Sequence, residues 1–155
     1  MIAVLKRKMK PRLARLARLP GGKTVGAIEA DVLARLDALK DTCFVEAQLS
    51  VARMTELAAA LPQPPEPDDL RPFYGLCDTI VGLAGVAELA HAGRAALSLC
   101  RLLDGWIAGR PWRPASLDVC LTAIALLCRP DCGLAPEERD KIVAGLVDVA
   151  RRPGR

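Results

Sequence analysis

Apolar residues in this chain recur mostly at steps of three and four, the period of a helix that buries one face. The positions Val25, Ile28, Val32, Leu36, Leu39, Cys43, Ala47, Met54, Leu57 and Leu61 keep to this rule, and no Gly or Pro interrupts them after Gly26. They predict a long first helix over about 27–61, which Thr24 is placed to cap. The stretch from Pro62 to Pro72 holds five prolines and three acids without hydrophobic periodicity, so it predicts an extended connection. A second helix is then expected from about Pro72 to Leu83 and a third from about Val86 to Ile107. Gly82 and Gly85 lie at their junction, and either one kinked helix or a helical hairpin satisfies the pattern.

A turn rich in Gly, Pro, Trp and Arg follows at Trp106 to Pro114, then a very apolar fourth helix from Ser116 to Cys128, which the segment CRPDCG stops. Pro136 at a first helical position, with Glu137 and Glu138 beside it, starts a fifth helix that ends near Arg151 and Arg152, where basic side chains suit the negative helix end. No segment predicts a strand. The fold class expected is therefore all-α, an antiparallel bundle of about five helices around a four-helix core. Only five aromatic residues occur, Phe44, Phe73, Tyr74, Trp106 and Trp112, so Leu, Ala, Val and Ile must fill the interior. That composition suits helices better than a sheet.

Charge divides the chain more sharply than hydropathy does. Residues 1–28 hold eight basic side chains and no acid, whereas the remainder holds 14 basic and 18 acidic ones. The expected organisation is a basic amphipathic or disordered arm over 1–23 and a helical domain over 24–155. Ile2, Leu5, Met9, Leu13, Leu16 and Leu19 give the arm its apolar positions, and Lys6, Arg7, Lys8, Lys10, Arg12, Arg15 and Arg18 its charge. Nucleic acid, an anionic membrane surface or an acidic protein would each attract such an arm, although it has no aromatic residue for base stacking. Its apolar positions are too interspersed with charge for a secretion signal, and the apolar run from Leu117 to Cys128 is far short of the ~20 residues that cross a bilayer.

The chemistry-bearing residues form no recognised catalytic set. GGKT, Gly21 to Thr24, ends like a phosphate-binding loop, but Ala17 stands where the first glycine belongs and no strand precedes it; a hinge is the simpler reading. Cys128 and Cys132 are spaced for a redox pair or part of a metal site, yet His91 is the only histidine available to complete four ligands. Neither Ser nor Cys arrives with the surroundings of an activated nucleophile. No catalytic residue, metal or cofactor is expected. Five of the six cysteines fall in apolar helical stretches, which suits a reducing, cytoplasmic setting.

Two resemblances add to this. From Leu76 onward the chain resembles a histidine phosphotransfer (HPt) domain, the four-helix module of two-component signalling, whose phosphorylated His is followed at three and four positions by Lys and Gly. The segment DTIVGLAG, Asp78 to Gly85, occupies that motif, and ELAHAGRAALSLCRLLDG looks like the helix after it. Gly82 matches the glycine, whereas Asp78 stands in place of the phosphoaccepting histidine and Val81 in place of the lysine. The basic arm, PGGKTV and a long helix containing LKDTC are similar to the small CheE-type proteins associated with chemotaxis operons of alphaproteobacteria. The resemblances imply a protein without phosphotransfer activity that docks a response-regulator receiver domain or a histidine kinase through Asp78, Val81, Gly82, Leu83 and Gly85. Pairing of the chain with a second copy stays open beside these partners, as does an alternative role on nucleic acid or membrane through the arm.

Overall fold

The structure is a computed structural model that describes residues 24–85, 89–129 and 131–151. The described residues form five helices and no strand: α1 Val25–Ala60, α2 Pro67–Leu83, α3 Ala90–Ile107, α4 Pro114–Leu127 and α5 Pro136–Arg151. The chain is an all-α helical bundle, as its periodicity predicts; the basic arm over 1–23 lies outside the described residues. Two compact units divide it, Met1–Arg35 and Leu36–Arg155. In the first, the described residues are Thr24 and the opening turns of α1, all exposed. The Ala27 N–H donates to Thr24 Oγ1 at 3.3 Å, so the expected cap is in place.

The second unit is built around α3, of whose 18 residues ten are buried. Helices α2, α4 and α5 all pack against it. Residue pairing fixes the directions. Tyr74 meets Asp104 and Ala84 meets Gly93, so α2 and α3 form an antiparallel hairpin and not one kinked helix. Arg94 bonds Asp140, and Arg110 bonds the carbonyl of Ala150, so α5 runs parallel to α3. The part of α1 beyond Leu36 completes the core with Ala47, Ser50, Val51 and Met54. Shallow grooves beside α2 (Leu57, Ala60, Pro72, Leu76) and α4 (Ala58, Ala59, Leu121, Ala125) mark its two flanks.

Helix boundaries follow local chemistry. Helix α2 begins five residues earlier than its prolines suggest, at Pro67 instead of Pro72. The reason is a capping box: the Asp69 carboxylate accepts the Glu66 N–H at 2.8 Å, the Glu66 side chain returns the bond, and Pro67 needs no amide partner at its first position. Pro72 then sits inside the helix, where it forfeits one backbone bond near the start. Helix α5 uses half of the device, with the Ala135 N–H donating to Glu138 Oε2 at 2.8 Å and no side-chain acceptor at Ala135 to return the bond. Turns after α3 and α4 use Gly109 and Gly133 at φ 90 and 67, a left-handed conformation that side chains resist. At Gly93 the need is for space, since a Cβ there would lie 2.8 Å from the Ala84 Cβ.

Candidate functional site

The segment singled out from the sequence occupies the last two turns of α2 and the turn after it. Phe73, Cys77 and Ile80 are wholly buried and anchor one face of α2 in the core. The helical period then sends Asp78 outward, and it is exposed. Gly75 and Gly82, roughly a turn to either side of it, are exposed too, and so is Gly85. A Cβ added at any of these three glycines would meet no atom within 4 Å. Among the described residues, their lack of a side chain therefore serves no packing, unlike that of Gly93. Val81 and Leu83 behave differently: both are half-buried and pack against the core, so they hold the helix more than they face outward.

Two polar links fix α2 against α3 on this side. The Tyr74 hydroxyl donates to Asp104 Oδ1 at 2.5 Å, and burial followed by that bond pushes its ionisation far above the ordinary range. Cys77 and Cys100 lie against each other, one from each helix. The proximity of Cys100, followed by burial, moves the Cys77 pKa upward. Neither pairing was foreseeable from spacing, because each joins residues more than twenty positions apart.

His91 lies at the start of α3, half-buried, with Nε2 3.5 Å from Asp140 Oδ1 of α5. The same oxygen accepts a 2.6 Å hydrogen bond from Arg94 Nη1. This bond, aided by the charges of Arg94 and His91 and opposed by slight burial, holds the Asp140 carboxyl below its usual range. The cluster joins two helices through exposed charges, and it lies on a different helix pair from Asp78.

Cys120 and Cys128 are buried, which pushes each thiol up to about 11, while Cys132 is half-buried in the loop beyond α4. Among the described residues, no three His, Cys, Asp or Glu side chains converge as they would around a metal ion. None of the described helices is long and apolar enough to cross a membrane. Lys6, Arg7, Lys8, Lys10, Arg12, Arg15 and Arg18 lie outside the described residues.

No protein family, curated protein or solved structure matches this chain.

Proposed function

We propose that the protein is a non-catalytic interaction module of a chemotaxis or two-component system, which docks a receiver domain or histidine kinase without carrying phosphate. One observation carries the reading. Asp78 stands exposed on a helix anchored by Phe73, Cys77 and Ile80, between glycines whose missing side chains leave open space and not room for another described residue. Glycine within a helix costs roughly 1 kcal/mol relative to alanine. A surface that keeps Gly75 and Gly82 there allows a partner's backbone to come close to the Asp78 carboxylate. That carboxylate has no nucleophilic nitrogen to accept phosphate, but it offers a fixed negative charge where the resembling domains hold the phosphorylated group. The cytoplasm is the compartment in which such partners act.

Titration calorimetry of the full chain against purified receiver domains tests this. Binding is expected, and Asp78→Arg should weaken it at least tenfold, about 1.4 kcal/mol, with helical content unchanged. Gly82→Leu should weaken it comparably by blocking approach. Binding indifferent to both substitutions would overturn the proposed surface, and an acid-labile phosphate on His91 after incubation with a phosphorylated receiver would overturn the non-catalytic assignment.

A further inference from the structure

Three contacts between α2 and α3 fall on one seam. Nearest the turn of the hairpin, Ala84 meets Gly93, where a Cβ on the glycine would lie 2.8 Å from the Ala84 Cβ. Seven residues back along α2 stands Cys77, and seven residues on along α3 stands Cys100. Seven residues make about two helical turns, so each cysteine lies on the face of its helix that makes the Ala84–Gly93 contact. About a turn further along, the Tyr74 hydroxyl bonds Asp104. The antiparallel register thus sets the two cysteines opposite each other, with a close approach of the helices on one side and a hydrogen bond on the other. Cys100 packs against the core that contains Cys77, and neither is in a disulfide.

We propose that this pair is an oxidative modification site, at which a hydroperoxide closes a disulfide between Cys77 and Cys100 and so links α2 to α3. Position supplies the first argument. A disulfide needs Cα atoms about 4.4–6.8 Å apart and side chains that converge. Small residues at all four seam positions, Ala84, Gly93, Cys77 and Cys100, let the two backbones approach, which favours that range.

The unequal surroundings of the two thiols supply the second, because they assign the roles. Cys77 is wholly buried, whereas Cys100 is half-buried and reachable from solvent. The neighbouring Cys77 thiol, above all, holds Cys100 below the ordinary thiol range, against its partial burial and the carboxylates of Asp104 and Asp78. The proximity of Cys100 and burial move Cys77 the other way. The accessible sulfur is therefore the one with more thiolate character, and the thiolate is the form that attacks peroxide. Cys120 also lies near Cys77, but it is wholly buried, and burial pushes it up to about 11.

Two steps complete the chemistry. The Cys100 thiolate attacks one peroxide oxygen; the S–O bond forms, the O–O bond breaks, and hydroxide leaves to take up a proton as water. Cys77 then attacks the sulfenic sulfur of Cys100; the S–S bond forms, the S–O bond breaks, and the hydroxyl departs with the Cys77 proton as a second water. Two thiols have given up two electrons and two protons, and both peroxide oxygens have been reduced to water. Disulfides formed in a reducing compartment are mostly transient ones of this kind. Neither the pairing nor its test depends on the docking surface around Asp78.

Peptide mapping of the reduced full chain, after brief exposure to a few equivalents of hydrogen peroxide and alkylation of the remaining thiols, tests the proposal. The expected product is a chain in which Cys77 and Cys100 are joined, the other four of the six cysteines are alkylated, and dithiothreitol restores the starting material. Cys77→Ala should stop at the sulfenic acid, which dimedone labels at Cys100. Cys100→Ser should leave the buried Cys77 unoxidised. Mapping of the wild-type chain decides the pairing by itself, whether or not either variant folds. Six thiols that all remain open to alkylation, a different pairing such as Cys77 with Cys120 or Cys128 with Cys132, or a cross-link between chains overturns the proposal. Dimedone on Cys77 in Cys100→Ser, or an unlabelled Cys100 in a Cys77→Ala chain of wild-type ellipticity, overturns the assigned order of attack.

Discussion

Ser50 is the residue whose surroundings fit its chemistry least. It is 1% exposed on α1 among Ala47, Val51 and Met54, and its Oγ has no hydrogen-bond partner among the described residues. A buried unsatisfied hydroxyl costs about 1–3 kcal/mol, and alanine fills almost the same space. Ser50→Ala should therefore raise stability by about 1 kcal/mol, measured as a higher urea midpoint with unchanged slope. Asp140 gives a prediction with a sign. Its folded pKa lies below the ordinary 3.8, chiefly through the Arg94 hydrogen bond. A depressed carboxylate contributes stability that is whole above the unfolded pKa and fades as pH falls through the lower folded one. Asp140→Asn should thus be slightly less stable than wild type at neutral pH, and in melts at successively lower pH the difference should begin to shrink near pH ~4 and vanish only once the pH has fallen below the depressed folded pKa. The sequence exposes little of this. Ser50 and Asp140 look ordinary by spacing, and what sets them apart is which helix arrives beside them.

At the scale of elements, the hairpin of α2 and α3 turns on Gly93, where the Ala84 Cβ would sit 2.8 Å from an added methyl group. Gly93→Ala should destabilise by about 1–3 kcal/mol through overpacking, despite alanine's better helix propensity. Combining it with Ala84→Gly should recover most of the loss, as a double-mutant cycle followed by thermal melts would measure. The five helices themselves were legible from sequence, because apolar periodicity, Thr24, Pro136 and the paired glutamates are all local signals. The start of α2 was not. Five prolines between residues 62 and 72 read as an extended linker, and the Glu66–Asp69 box that lets Pro67 open a helix is a short acidic pattern within that run. Which residues of the Asp78 segment point outward was legible only in part: Asp78 and Gly82 do, while Val81 and Leu83 are drawn toward the core by the approach of α3.

For the molecule as a whole, charge is the lever that sequence states and helix packing does not alter. Deleting residues 1–20 removes Lys6, Arg7, Lys8, Lys10, Arg12, Arg15 and Arg18, which turns the formal net charge of +4 negative. If the Asp78 surface is what partners recognise, the truncated chain should bind a receiver domain with affinity within about threefold of the full chain, because charge outside a contact acts mainly on association rate. Calorimetry at two salt concentrations checks this. A loss that scales steeply with salt would instead assign the work to the arm.

The two tryptophans have a practical consequence for all such measurements. Trp106 and Trp112 stack edge to face with centroids 4.4 Å apart, and Trp112 Nε1 donates to Gln63 at 2.6 Å. They are the chain's whole complement of indoles. Intrinsic emission therefore watches a single corner, where the end of α3 approaches the α1–α2 linker. Melting that leaves this corner intact would pass without a spectral trace there, and a fluorescence transition that looks all-or-none would report that corner alone. Far-ultraviolet ellipticity, which weighs every helical residue, should part company with it wherever the two ends of α1 come undone separately.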